Sequence, residues 1–161
     1  MFKLSSVEGD KPQVYAGLVE QARGLLAGER DRIANAANFA ALVYHGLPDL
    51  NWAGFYLNHG DELVVGPFQG LPACVRIPFG KGVCGTAAVT RTTQVVPDVN
   101  AFAGHIACDA ASRSEIVVPL LDSRGDLVGV FDVDSPTPGR FDDDDRRGME
   151  ALCAVFMETL A

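Results

Sequence analysis

The sequence predicts an α+β fold built on a mainly antiparallel sheet. Three observations predict it. Stretches of helical periodicity lie at both ends of the chain, and two pairs of apolar, β-prone runs are each joined by a short turn. The order is two helices, three strands, a small helix with loops, two strands and a closing helix.

Residues 12–27 carry Val14, Leu18, Ala22 and Leu25 on one stripe, and Gly28-Glu29-Arg30 breaks that helix. A second helix is expected over 31–45. Asp31 is its N-cap, its apolar face comes from Ile33, Ala36, Ala37, Ala40, Val43 and Tyr44, and Gly46-Leu47-Pro48-Asp49 ends it. Asn51 to Leu57 reads as an aromatic-rich strand, and Asn58-His59-Gly60-Asp61 turns the chain into a partner strand from Glu62 to Phe68. Within the first of these strands Trp52 and Tyr56 share one face and Phe55 takes the other. Ala73 to Phe79 is expected to be a third strand. Gly80 and Gly82 then precede a short helix over roughly 82–89, and Thr93 to Asp98 is a short extended piece.

Residues 99–113 show no periodicity and read as a loop with one helical turn. Glu115 to Leu121 and Leu127 to Val133 form a second hairpin through Asp122-Ser123-Arg124-Gly125-Asp126, and their nearly continuous apolar centres predict burial on both faces. Asp142 caps the last helix, with Asp143 to Asp145 in the first turn, where negative charge is favoured. Met149, Leu152, Cys153, Phe156, Met157 and Leu160 recur on one face of it. Five or six strands should therefore carry the terminal helices on one face. With no repeat, linker or low-complexity segment, 1–161 is expected to be a single domain.

Composition narrows the function. Hydrophobic residues make up 48% of the 161, enough for a real core. Twenty-one acidic residues against thirteen Lys and Arg give a formal charge of −8 with no basic block, which argues against nucleic-acid binding. No run approaches the roughly 18 apolar residues of a membrane span. The first ten residues lack the apolar core of a secretory signal, so a cytoplasmic location and no membrane partner are expected. Four cysteines are then reduced by default. Their spacing does not match zinc knuckles, and the three histidines add little, so no metal is expected. Gly80-Lys81-Gly82-Val83-Cys84-Gly85-Thr86 lacks the Lys-Ser/Thr ending of a nucleotide loop, and Asp142 to Asp145 lacks the glycine and alternation of a calcium loop.

Cys74, Cys84 and Cys108 are the chemically suggestive residues. Cys153 fits the apolar face of the last helix as a small hydrophobe. Cys74 lies in a strand-like run. Cys84 sits near a helix start, where thiolate is favoured, so local reasoning makes it reactive. Cys108 lies in an irregular polar loop, three residues after His105 and beside Asp109, where packing demands no cysteine. Two thiols able to meet would allow sulfenic acid to condense to a disulfide. Glu115 opens a strand. Asp132 and Asp134 share one strand parity and suit an ammonium group, or else form a solvated strand end running into Ser135-Pro136-Thr137-Pro138-Gly139.

These residues are also where the chain resembles a known family, the free methionine-(R)-sulfoxide reductases of the GAF fold. The resemblance rests on Asn51-Trp52-Ala53-Gly54-Phe55-Tyr56, Gly66-Pro67-Phe68-Gln69-Gly70, Ala73-Cys74-Val75-Arg76-Ile77-Pro78, Gly82-Val83-Cys84-Gly85-Thr86, Gly104-His105-Ile106-Ala107-Cys108-Asp109, Ser114-Glu115-Ile116-Val117 and Asp132-Val133-Asp134-Ser135. It implies a GAF-like fold, with a central mainly antiparallel sheet, helices packed on one face and pocket-forming loops on the other, commonly as a dimer. It implies reduction of the R epimer of free methionine sulfoxide, thioredoxin as reductant and no cofactor. By this resemblance Cys108 is the nucleophile, Cys74 the principal resolving cysteine and Cys84 a third active-site cysteine. Glu115 holds or protonates the sulfoxide oxygen, Asp132 and Asp134 hold the amino end, and Trp52 walls the methyl group. The resemblance thus prefers Cys108 where helix-start reasoning prefers Cys84. Two other readings stand beside it: a non-catalytic GAF sensor of a small ligand or of redox state, and a zinc-stabilised interaction module using Cys74, Cys84 and Cys108.

Overall fold

Two hairpins meet at the centre of the molecule. The computed structural model describes residues 1–161. Helices α1 (Lys11–Leu26) and α2 (Arg32–Gly46) lead into strands β1 (Trp52–Asn58), β2 (Glu62–Gly70) and β3 (Arg76–Pro78). Helix α3 (Gly82–Thr90) and strand β4 (Gln94–Val96) follow, then a single helical turn over Val99–Ala101, β5 (Ser114–Leu121), β6 (Leu127–Ser135) and α4 (Asp143–Glu158). The sheet runs β3-β2-β1-β6-β5-β4, and every neighbouring pair is antiparallel. No helix is long and apolar enough to cross a membrane.

Strand parity divides the core in two, as the alternation predicts. On one face Phe55, Ile116, Phe131 and Val133 pack with Leu18 of α1, Phe39 of α2 and Leu152 and Phe156 of α4. On the other, Trp52, Tyr56, Val117 and Val130 pack with Val83, Cys84 and Ala87 of α3. The β5 and β6 centres are buried on both faces as a result.

The helix stripes are rotated from the expected ones. In α2, Ile33 and Ala37 face solvent, and Asn35, Ala36, Phe39, Ala40, Leu42 and Val43 are buried. The ring of Phe39 sets this rotation. It lies 4.9 Å from Phe131 and 5.6 Å from Phe156 between ring centroids, and so brings its own side of α2 onto the sheet. In α1, Tyr15 and Leu26 are the buried members beside Leu18 and Ala22, while Val14 and Leu25 are only half-buried.

Tyr15 is turned inward by Asp145, a residue that the sequence places only as a favourable first-turn charge. Asp145 is fully buried. It accepts hydrogen bonds from Tyr15 (2.8 Å) and Arg140 (3.1 Å), pairs with Lys11, and completes a capping box with Asp142. The third strand is shorter than expected, because residues 71–75 leave the sheet as a loop.

Truncating Phe39→Ala removes the ring that joins α2 to the sheet and α4, and should cost about 3–5 kcal/mol, read from a lowered urea midpoint with unchanged slope.

Candidate active site

Register across three strands assembles the polar face of the sheet. Trp52 of β1 pairs with Asp134 of β6, and Asp134 with Glu115 of β5. One row on, Gly54 pairs with Asp132 and Asp132 with Val117. Residues two apart on a strand point the same way, so these groups project to the face opposite the terminal helices. Gly54 is required there. A Cβ on it would meet Phe68 Cβ at 2.2 Å and the Trp52 ring at 2.9 Å, and Trp52 and Phe68 stack across that position with centroids 5.1 Å apart.

Loops close a small cavity over this face. Its lining includes Trp52, Tyr56, Cys84, His105, Cys108, Asp109, Ser112, Glu115, Asp132 and Asp134. Two side chains of β1 hold loop backbone. The Trp52 indole donates to the Leu71 carbonyl at 3.1 Å, and the Tyr56 hydroxyl donates to the Cys74 carbonyl at 3.0 Å. Asn51 holds the second loop by donating through Nδ2 to Asp109 Oδ2 and Ser112 Oγ, both at 3.0 Å. Between the two tethered loops, Cys74 and Cys108 form a disulfide with Cα atoms 5.3 Å apart. Cys108 faces the cavity and Cys74 does not contribute to its wall.

Cys74 therefore lies on a loop and not in the expected strand, since its segment lifts off the sheet to meet Cys108. While that bond is closed it removes the three-thiol zinc set, because two of its sulfurs are joined to each other. Cys84 and Cys153 are free and buried, Cys153 within the helix-side core as expected. Asn51, Asp109 and Ser112 were not singled out from the sequence for any role at the site. Asn51 and Asp109 lie in stretches that carry the family resemblance, and Ser112 lies in the loop without periodicity.

The cavity is acidic with little to neutralise it. Four carboxylates line it, against Lys81 and His105 as the basic groups. Lys81 is exposed, and burial lowers the His105 pKa, so the imidazole is neutral at pH 7 although Nε2 lies 3.9 Å from Glu115 Oε2. Asp132 Oδ1 is buried without a hydrogen-bond partner. Burial is the first cause of a raised pKa for Glu115, and the charges of Asp132 and Asp134 add to it. Asp132, also chiefly through burial, is pushed up to about 6, and Asp134 is raised as well. Of the neighbouring pair, Glu115 holds the proton more strongly, since the repulsion acts on it and hydrogen bonding from Glu115 and Cys84 lowers Asp132.

Cys84 departs from its expected reactivity. It stands at the start of α3, but burial pushes its thiol pKa up and the Asp132 and Glu115 charges push it further. These outweigh the helix terminus, and the protonated thiol faces Glu115 Oε1 with S···O of 3.9 Å. Chemically, the pocket offers carboxyl groups whose pKa burial raises, an aromatic wall and a pair of bonded sulfurs.

The GAF domain family matches residues 14–160. The free methionine-R-sulfoxide reductase of Escherichia coli is 51% identical over 152 residues, covering 94% of this chain and 92% of its own. The crystal structure of the Neisseria meningitidis free methionine-R-sulfoxide reductase with its substrate is 43% identical, with a TM-score of 0.94 and coverage of 99% and 96%. A Burkholderia vietnamiensis protein described as a candidate GAF sensor is 70% identical, with a TM-score of 0.91 and coverage of 94% and 96%.

The raised carboxyls set the sign of the pH dependence. An acid whose pKa rises on folding binds more protons in the native state, so its contribution to stability falls as pH climbs from the unfolded to the folded value. For Asp132 that window runs from the ordinary 3.8 to about 6. Asp132→Asn should flatten the decline across this window and raise stability at pH 7 by up to ~3 kcal/mol, checked by urea midpoints from pH 4 to 7.

Proposed function

The chain belongs to the GAF family and, within it, to the free methionine-(R)-sulfoxide reductases, and from that premise we propose that it reduces free L-methionine-(R)-sulfoxide to methionine. One observation carries the reading: the Cys74–Cys108 disulfide lies over a cavity lined by Trp52, Glu115, Asp132 and Asp134. A sensor of a small ligand needs a pocket but has no need of a sulfur pair bridging two loops above an acidic floor.

The residues divide the work by position. Cys108 is the nucleophile, since its segment faces the cavity. Its thiolate attacks the sulfoxide sulfur while Glu115, kept protonated, gives its proton to the sulfoxide oxygen, and that hydroxyl then passes to the cysteine sulfur as the new sulfur–sulfur bond breaks. Methionine leaves and Cys108 becomes a sulfenic acid. The Cys74 thiol condenses with it, releasing water and forming the disulfide. Thioredoxin then reduces that bond by thiol exchange, at the cost of its own dithiol. Cys84, held as a thiol beneath the cavity, serves as the third cysteine that assists resolution or exchange.

Asp132 and Asp134 receive the ammonium of the free amino acid, and Trp52 walls its methyl group. Peptide-bonded methionine sulfoxide offers an acylated nitrogen without charge, and would leave a buried carboxylate unpaired, so it is rejected. The same reading makes the chain one GAF domain working as a homodimer in the cytoplasm, the compartment where thioredoxin keeps thiols reduced.

Three outcomes follow for the purified, reduced protein with separated epimers. Cys108→Ser should abolish methionine formation even in a single turnover. Cys74→Ser should preserve the first turnover and stop efficient recycling by thioredoxin, as seen by rapid quench. Glu115→Gln should lower the single-turnover rate about 10²–10⁴-fold. No methionine from wild type with dithiothreitol would remove the proposal.

A further inference from the structure

Cys84, Glu115 and Asp132 come from three different elements, α3, β5 and β6, and converge on one point. One ligand atom from each lies within 4.8 Å of the others, and all three residues are buried. In a tetrahedral zinc site, bonds of about 2.3 Å to sulfur and 2.0 Å to oxygen put neighbouring donors about 3.5 Å apart. The Cys84 Sγ to Glu115 Oε1 distance of 3.9 Å needs only a slight contraction to match.

A second observation points to a ligand there. Asp132 is 5% exposed, lines the cavity and carries Oδ1 with no hydrogen-bond partner. A buried carboxylate oxygen in that condition is costly unless something positive or protic meets it. One soft thiol beside two hard oxygens selects zinc-like ions over magnesium or calcium.

We propose that Cys84, Glu115 and Asp132 form a binding site for a zinc-class divalent cation, accessible in the disulfide-closed protein and inhibitory in kind. The cation replaces the Cys84 thiol proton, and any proton on Glu115 or Asp132, and these protons pass to solvent. It then occupies the carboxylates at the cavity floor and takes the thiol out of exchange chemistry. The site itself does not depend on the reductase reading; only its inhibitory consequence does.

Cobalt(II) is the probe, added to full-length protein in which Cys74 and Cys108 remain disulfide-bonded. That leaves Cys84 and Cys153 as the free thiols. One cobalt per chain should bind with a thiolate-to-metal charge-transfer band that zinc abolishes. Cys84→Ala should lose the band, Asp132→Asn should weaken binding about tenfold or more, and Cys153→Ala should change neither. Absence of the band in wild type, its persistence in Cys84→Ala, or unaltered affinity in a folded Asp132→Asn would each overturn the site. Should Cys84→Ala fail to fold, the wild-type band and Asp132→Asn decide alone. Turnover of the sulfoxide by chelator-treated enzyme, measured alongside, tests the reductase reading separately.

Discussion

The placement of β6 between β1 and β5 is the constraint on which the rest depends. Antiparallel register fixes Asp134 against both Trp52 and Glu115, and Asp132 against Gly54. A slip of one residue would turn both acids into the helix-side core and bring Val133 to the cavity, so the register is held by the hydrophobic face behind it. Phe55, Phe131 and Val133 serve the core, and the alternate positions of the same strands serve the site. The helix-side core and the cavity thus share strands, while Trp52, Tyr56 and Cys84 serve both the second core cluster and the cavity wall.

That division explains how the chain tolerates a cluster of buried acids. Isolated carboxylates in a poorly solvated cavity are unfavourable, and the protein meets this by protonation more than by pairing with cations. The raised pKa of Glu115 is therefore a consequence of burial beside two other acids. The acids impose a folding cost that the opposite face offsets. The contrast with Asp145 is instructive. It is equally buried, but Tyr15, Arg140 and Lys11 surround it, and it joins α1 to α4 as a structural group.

The loops are positioned from the sheet below. Trp52 and Tyr56 each present a ring to the cavity side and a polar atom to loop backbone, so one side chain both shapes the wall and fixes the segment that carries Cys74. Asn51 holds the segment that carries Cys108 through the side chains of Asp109 and Ser112. Loop backbone without a regular partner is satisfied in this way, and two sulfurs distant in sequence are kept within bonding reach.

The sequence by itself determined the elements, the fold class and the residue types of the site. Alternation in β1, β5 and β6 and the caps at Asp31 and Asp142 are local signals, because periodicity and capping depend on neighbours a few residues away. The motifs carrying Cys74, Cys84, Cys108, Glu115, Asp132 and Asp134 were legible through family resemblance. Tertiary structure alone decided the rest. It rotated α2 onto Phe39, lifted Cys74 off its expected strand, turned Asp145 inward, and brought in Asn51, Asp109 and Ser112. It also reversed the local inference about Cys84, since a thiol's acidity depends on every charge and on the solvent around it, and the acids above Cys84 arrive from strands that lie 31 or more residues away in sequence. Local sequence sets what each segment is; which groups share a poorly solvated space is fixed only when long-range packing brings them together.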